Sequence, residues 1–365
     1  MRPAARILTI FLLGFLAIAA SAQKKKKKED EITQTLPVLK DPAPAVAAET
    51  SRLVFHLSPL SAKGLMSPQI REALNALLHE NRGATIVKLR AFVVGSGDLR
   101  RVQTLVSEIF TDHKLNVPAL STIQAGALPL NGAQVVIESI AVEKKPANPN
   151  GLAFFAGQQS KDVRQSVRQL QAAVAAANVA PEDVLRATCF LSSLDNLNSA
   201  REAMAAAFPK LQVNFLQLQR LGLEPLAECE AVGRLSSPPA SAVQFVNPPG
   251  LAKNPNYSQI ALVNAPKIVL SGLQMVFGNR DEDIRFGFER LQKDLEPFGV
   301  SFKDVFWMST YPLTLPVADR VRALRFNYLD HARPPASTFL LFEGLPSLDA
   351  TVAMDVMAAA PESAR

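Results

Sequence analysis

The chain has 365 residues, of which 48% are hydrophobic and 20% are charged, a length and composition suited to two or three folded domains. Much of its formal net charge of +6 comes from five consecutive lysines at residues 24–28. The sequence after them is nearly neutral, which argues against a nucleic-acid partner. The four histidines are dispersed and two cysteines are too few for a structural zinc site, so we expect no metal and no other cofactor.

The N-terminus has the pattern of an export signal. Arg2 and Arg6 precede an apolar run at residues 7–20, and residues 20–22 (Ala-Ser-Ala) form a small-residue cleavage site. The run is shorter than the ~20 residues that span a bilayer. We therefore predict a signal peptide at residues 1–22, a periplasmic or secreted protein, and no integral membrane span after cleavage. An uncleaved anchor is the alternative.

A lysine-rich, flexible lead-in at residues 23–35 precedes the first predicted unit, at residues 36–143. A helix begins at Ser67-Pro68, because Ser can cap free N–H groups and Pro fits the first helical turn. Apolar runs predict strands of this unit at residues 53–57, at 86–94 and from 135 onward. A second helix is predicted at residues 99–110. A linker with two prolines follows.

The second predicted unit, at residues 150–235, has the clearest pattern. Val163, Val167, Leu170 and Val174 follow the spacing of one helical face. Strands and a second helix complete a β-α-β-α-β-β order, with segments at residues 152–155, 184–191, 197–208 (the helix), 211–218 and 226–232. The strand at 184–191 does not alternate between polar and apolar residues, which is typical of a sheet covered on both faces.

The third predicted unit, at residues 243–360, repeats this order. Asp304-Val305 matches Asp183-Val184 at an offset of 121 residues, and Val184 matches Ile86 at an offset of 98. Offsets near 100 residues are too long for a solenoid repeat and indicate three tandem copies of a whole domain.

The two cysteines, Cys189 and Cys229, both lie in strand-like runs of the second unit. Export would permit a disulfide between them. We favour the alternative, a pair of small buried hydrophobic residues.

Several short motifs stand at the ends of the predicted strands. The third unit carries Tyr257-Ser258-Gln259 before one strand and Ser271-Gly272 at the end of the next. Pro-Ala and Leu-Pro pairs occur at Pro118-Ala119, Leu128-Pro129, Pro335-Ala336 and Leu345-Pro346. In this order the motifs resemble those of the RidA/YjgF family, the reactive-intermediate (enamine/imine) deaminases once labelled L-PSP endoribonucleases.

The resemblance implies an α+β fold of chorismate-mutase-like, RidA-like β-α-β-α-β-β domains. Family members are homotrimers with sheets inward and helices outward. Three fused copies therefore imply a single-chain pseudo-trimer that is monomeric as a chain, with small-molecule sites in the clefts between repeats.

The family reaction hydrolyses a 2-imino acid, and an arginine after Pro-Ala grips the substrate carboxylate. This chain has Leu120, Leu211 and Ser337 at the corresponding places. Lysine would be no equal substitute for the forked contact, and none of the three is cationic. Arg333, four residues before Ser337, is the candidate replacement.

Four further residues match family site positions. Glu228 matches the carboxylate that orients water, Tyr257 matches the pocket tyrosine, and Ser271 and Gly272 match the strand end that offers backbone donors. Glu138, Glu230 and Asp355 match a second acidic position on the same strand face, where paired sheet carboxylates are the alternative interpretation.

Two functions remain open at this point. One is an exported imine or enamine deaminase-type hydrolase with degenerate sites, since all three arginines are absent. The other is a non-catalytic small-ligand-binding or scaffold protein that keeps the same architecture. RNA cleavage ranks third, because the body is nearly neutral.

Overall fold

The computed structural model describes residues 38–95, 97–221 and 224–361. The predicted signal peptide and lead-in lie outside these residues. Within the described part, no helix has both the length and the hydropathy needed to cross a membrane. The fold is mixed α+β with several sheets, as predicted.

The described elements alternate between strands and helices along the chain. The strands are β1 (Ala45–Glu49), β2 (Leu53–Leu57), β3 (Thr85–Val93), β4 (Ala119–Gln124), β5 (Val135–Val142), β6 (Leu152–Ser160), β7 (Val184–Leu191), β8 (Val213–Gln217), β9 (Ala227–Arg234), β10 (Val243–Val246), β11 (Ile260–Val263), β12 (Lys267–Ser271), β13 (Gln274–Phe277), β14 (Val305–Pro312), β15 (Ala336–Phe339) and β16 (Ala350–Ala360). The α-helices are α1 (Met66–Glu80), α2 (Arg100–Asp112), α3 (Val163–Ala176), α4 (Leu197–Ala207), α5 (Asp281–Leu295) and α6 (Leu315–Leu324).

These strands form three sheets with a shared core order. The first sheet is β2-β5-β3-β4, the second is β10-β11-β6-β9-β7-β8, and the third is β1-β12-β16-β14-β15 with β13 also on β16. In each sheet, a long antiparallel pair carries a parallel strand on its far side: β4 on β3, β8 on β7 and β15 on β14.

The three antiparallel pairs also share one irregularity. The register shifts one residue after the start of β3, β7 and β14, between Ile86/Lys88, Val184/Arg186 and Val305/Trp307. A bulge re-aims the side chains that follow it. The next inward positions are therefore equivalent in the three sheets.

Each sheet buries one face under helices and the other against its neighbour sheets. Helices α1 and α2, α3 and α4, and α5 and α6 each pack on one sheet in a separate apolar cluster. Between the sheets, Phe92, Phe190 and Tyr311 meet around Phe342, with ring centroids 5.3–6.1 Å from it. The prediction of sheets covered on both faces is thus confirmed.

Strands also cross the predicted unit boundaries. β1 lies before the first sheet in sequence but pairs with β12 of the third sheet. β10 and β11, which the sequence assigned to the third unit, join the second sheet through β6.

The preferred interpretation of the cysteines was wrong. Cys189 and Cys229 are directly paired across β7 and β9, with Cα atoms 4.1 Å apart, and form a disulfide. Both are fully buried, so they also belong to the core beneath α3 and α4.

A buried cluster of charges lies where the three sheets meet. This central ionic cluster comprises Lys88, Arg90, Arg186, Glu138, Glu230 and Asp355, each less than 10% exposed. Arg90 Nη2 lies 2.7 Å from Glu138 Oε2 and 2.6 Å from Glu230 Oε1.

The carboxylates of this cluster have hydrogen-bond donors as well as cations. Thr188 Oγ1 and Asn214 Nδ2 donate to Glu138 Oε1 at 2.6 and 2.8 Å, and the Ser121 hydroxyl donates to Asp355 at 2.5 Å. Although burial disfavours ionisation, Arg90 and Arg186 hold the pKa of Glu138 below its usual value. The second acidic positions are therefore paired, structural carboxylates.

Candidate functional site

Glu228 is a buried carboxylate on β9 that faces a cleft between the second and third sheets. It is 6% exposed and pairs in register with Gln159 of β6. Gly157 lies at the β6 bulge, where an added Cβ would collide with the Glu228 carboxylate. Only glycine leaves room for this side chain.

The Glu228 carboxylate has no hydrogen bond or ion pair with any residue that the structure describes. Burial, followed by the nearby charge of Glu230, raises the pKa of Glu228 to about 8. The group is therefore largely protonated near neutral pH and can both donate and accept a proton there.

Tyr257 lies beside this carboxylate, just before β11. Burial, then the charge of Glu228, raises the pKa of the Tyr257 hydroxyl to about 12. The hydroxyl stays protonated at physiological pH and can donate a hydrogen bond into the cleft.

The cation of the cleft comes from the end of α6. Arg325 is 1% exposed, and its Nε and Nη2 have no hydrogen-bond partner among the residues that the structure describes. Burial, then the charge of Arg322, lowers the pKa of Arg325 to about 10, so the group remains a cation at neutral pH. A buried guanidinium without an anionic partner is costly unless a ligand supplies one.

These side chains line one cavity of about 110 Å³. We call it the Arg325 cleft and define it by Glu228, Tyr257, Asn254, Arg322, Arg325 and Ser337. Glu228 lies on β9, Asn254 and Tyr257 lie between β10 and β11 of the same second sheet, and Arg322, Arg325 and Ser337 belong to the third sheet and its helix α6 with the turn after it. The cleft therefore combines a buried cation, a proton-carrying carboxyl group and a phenol.

Sequence reasoning predicted Glu228 and Tyr257, and the structure brings them together. Sequence reasoning missed Arg325 because it looked for the carboxylate-binding arginine on the strand that follows Pro335-Ala336. Ser337 does stand at that strand position, but its hydroxyl donates to the Met308 carbonyl at 2.8 Å. A signal was present, since Arg325 continues the buried 3–4 spacing of Val317, Ala318, Val321 and Leu324.

Ser271 and Gly272 do not join this cleft. They lie by a second cavity of about 310 Å³, which Gly272, Leu120 and Asp294 line. The Gly272 N–H donates to the Pro44 carbonyl at 2.7 Å, and Ser271 Oγ accepts from the Val356 N–H at 2.9 Å. The Gly272 N–H, which we expected to be available to a ligand, therefore already donates a hydrogen bond within the chain.

Arg333 is also outside the Arg325 cleft. It is exposed, and its guanidinium lies over the Phe245 ring at 5.7 Å. Arg333 does not line the Arg325 cleft, so its role in place of the strand arginine stays a prediction. In the second sheet, the parallel register places Val213, not Leu211, at the position equivalent to Ser337.

No group of three or more metal-ligating side chains occurs among residues 38–95, 97–221 and 224–361. The Arg325 cleft has one carboxyl group and two guanidinium groups, a donor set suited to an anionic organic ligand rather than to a cation.

Residues 61–143 match the family model described as Endoribonuclease L-PSP. No curated protein is significantly similar to the sequence. Among solved structures, the chain is similar to a protein of unknown function of the conserved Rid family from Yersinia pestis. The identity is 14%, the alignment covers 33% of this chain and 99% of that one, and the TM-score is 0.29.

Two further similarities have the same extent. A YjgF-family member from Neisseria meningitidis is 14% identical, with 33% of this chain and 97% of that one covered and a TM-score of 0.25. E. coli TdcF with bound serine is 20% identical, with 30% of this chain and 100% of that one covered and a TM-score of 0.22. The predicted resemblance to the RidA/YjgF family is thus confirmed for the segment at residues 61–143.

Proposed function

We propose that the chain consists of three tandem RidA-like copies, at residues 36–143, 150–235 and 243–360, folded as a single-chain pseudo-trimer. The shared strand order and the three equivalent bulges support this. The offsets of 98 and 121 residues also make Lys88, Arg186 and Trp307 equivalent positions, each directly after the bulge of its strand. Sedimentation at the mass of one chain is the expected result, and a stable trimer of chains would contradict it.

We infer that the protein is an imine or enamine deaminase-type hydrolase that works at the Arg325 cleft. The observation that carries this is the buried, unpartnered guanidinium of Arg325 in the same cavity as the protonated carboxyl group of Glu228. Arg325 takes the role of the strand arginine that the family uses, and reaches the cleft from a helix end.

The substrate class is a small 2-imino acid. Its carboxylate binds Arg325 Nε and Nη2 in two-point fashion. Glu228 donates its proton to the imine nitrogen, and the resulting carboxylate accepts a proton from the water that attacks the imine carbon. A C–O bond forms, which gives a carbinolamine and restores the proton on Glu228. Glu228 then donates this proton to the amino group, the C–N bond breaks to release ammonia, and the hydroxyl proton returns to Glu228 as the C=O bond of the 2-oxo acid forms.

The test uses freshly generated 2-iminobutanoate and measures ammonia release. We expect faster release than in buffer alone. Arg325→Met should lower kcat/KM at least about 100-fold, because each hydrogen bond to a charged group contributes ~1.5–3 kcal/mol. Arg333→Met, which removes an exposed arginine outside the cleft, is the matched control and should retain full activity.

The second candidate is binding without turnover. It is favoured by the second cavity, where Leu120 stands at the position of the family's strand arginine. The Gly272 N–H beside it already donates a hydrogen bond to the Pro44 carbonyl. Ammonia release no faster than in buffer, together with saturable binding of 2-oxobutanoate, would establish this function instead.

We also propose export from the cytoplasm through the signal at residues 1–22. The Cys189–Cys229 disulfide supports an oxidising compartment. Mature protein in the periplasmic fraction, with an N-terminus near residue 23, is the expected result. Full-length protein retained in the cytoplasm would contradict it.

A further inference from the structure

The Arg325 cleft opens onto a second, larger space. A cavity of about 330 Å³ adjoins it, and both are lined by Gln159, Arg322 and Phe339. The two cavities therefore meet at these three side chains, and a ligand in the first lies next to the second. We call this second space the side pocket.

The side pocket is predominantly apolar. Leu218, Leu340 and Ala318 are buried in its wall, and Leu315 lies at its exposed rim. The few polar groups around it include Gln159 and Glu224. An apolar concavity beside a set of convergent polar groups is the usual form of a small-ligand site.

One helix face joins the two spaces. Leu315, Ala318, Arg322 and Arg325 are spaced three or four residues apart along α6 and the turn that follows it, so their side chains lie on one face. The face changes from apolar at its start to cationic at its end. A ligand lying along it would present an apolar chain to Leu315 and a carboxylate to Arg325.

Arg322 stands at the junction with a fixed position. Its guanidinium lies over the Phe339 ring at 4.6 Å, and its Nη1 donates to Asp319 Oδ1 at 2.8 Å. The stacked pair forms part of the wall of both cavities, whereas Arg325 Nε and Nη2 lack a hydrogen-bond partner within the described part of the chain.

We propose that the substrate is a 2-imino acid with an apolar side chain of about four or more carbons, whose side chain occupies the side pocket. This rests on the proposed function, since it takes the Arg325 cleft as the site of the reacting end. The small first cavity holds the carboxylate and the imine, and the side pocket holds the remainder. Leu315 and Phe339 are then specificity-determining residues.

The experiment compares imines generated in situ from alanine and leucine by an amino acid oxidase. The leucine-derived imine should have a kcat/KM about fifty-fold higher, the ratio expected from burying three additional CH₂-sized groups. Leu315→Glu should reduce that ratio about ten-fold with little change for the alanine-derived imine. Leu348→Glu, at a fully exposed leucine elsewhere, is the control and should change neither rate.

Turnover of both imines at similar rates, unaltered by Leu315→Glu, would overturn this inference and leave the proposed function intact. If neither imine is hydrolysed, the proposed function fails, and binding of the two stable 2-oxo acids decides the side pocket. Tighter binding of 4-methyl-2-oxopentanoate than of pyruvate, weakened by Leu315→Glu, supports it. Equal binding, or no binding of either acid, refutes it.

Discussion

Two regions of the molecule bury charged groups, and they treat them differently. In the central ionic cluster, every carboxylate lies within 4 Å of a cation, and Glu138 also accepts hydrogen bonds from Thr188 and Asn214. In the Arg325 cleft, Glu228 is 6% and Arg325 1% exposed, and neither forms a salt bridge with another described residue; Arg325 Nε and Nη2 also have no hydrogen-bond partner among those residues. Burial alone therefore does not distinguish a structural charge from a functional one.

The presence or absence of a partner makes that distinction. A buried ion pair recovers part of its desolvation cost within the fold. A buried ion without a partner retains that cost, which a ligand of opposite charge can relieve when it binds. The pairing in the central ionic cluster therefore fits a structural role, whereas the unpaired Arg325 supports our proposal that its cleft binds an anionic ligand.

The largest expected contrast is between two arginine substitutions. Arg90→Met leaves Glu138 and Glu230 without their closest cation and should lower the free energy of unfolding by about 3–5 kcal/mol. Arg325→Met removes an uncompensated buried charge and should leave stability unchanged or raise it. Urea unfolding of both variants measures this.

Equal destabilisation by the two substitutions would break the comparison. It would mean that Arg325 contributes to the fold as Arg90 does. Arg71→Met, at an exposed pair with Glu108, is the control and should cost at most about 1 kcal/mol.

A second prediction concerns pH. The pKa of Glu228 is raised from its usual value of 4.5 to about 8, so the folded chain holds a proton that the unfolded chain releases between these pH values. Its contribution to stability is complete below about pH 4.5 and is lost as the pH rises toward 8. Between pH 5 and pH 7 the loss should be about 2–3 kcal/mol.

Glu228→Gln removes this proton linkage. The variant should show a flatter dependence of unfolding free energy on pH from 5 to 8 than the parent protein. Glu224→Gln, at an exposed carboxyl group nearby, should keep the parent slope. If Glu228→Gln leaves the pH dependence of the unfolding free energy unchanged, the Glu228 carboxyl group is not a buried group without a partner.

The smallest effect is expected at Gly157. Gly157→Ala would push its Cβ against the Glu228 carboxylate, which must then move. We expect kcat/KM to fall about ten-fold with a stability loss of ~1–2 kcal/mol. Gly250→Ala, where no atom lies within 4 Å of the added Cβ, is the matched control, and equal activity of both variants would argue against a fixed Glu228.

Local patterns in the sequence were sufficient for much of the fold. The apolar run at 184–191 became β7 with the same bounds, and the helical spacing that begins at Val163 became α3. Glu228 and Tyr257 were found because each stands at a recognisable place beside a strand. These features depend on residues close together in the chain.

The features that were missed depend on contacts between distant residues. The pairing of β1 with β12 joins segments more than 200 residues apart. The Pro44 carbonyl, which accepts the hydrogen bond of the Gly272 N–H, directly precedes β1. Arg325 lines the same cavity as Glu228 only because α6, which packs on the third sheet, ends at the cleft that β9 of the second sheet also borders. No periodicity encodes which sheet a strand or helix will meet, so these sites required the structure.

The most direct measurement is a crystal structure of the protein soaked with 2-oxobutanoate. The account predicts the ligand carboxylate within hydrogen-bond distance of Arg325 Nε and Nη2, with its C2 atom facing Glu228. An empty Arg325 cleft at saturating ligand, or ligand bound instead beside Gly272, would contradict the claim that the unpartnered charges mark the site.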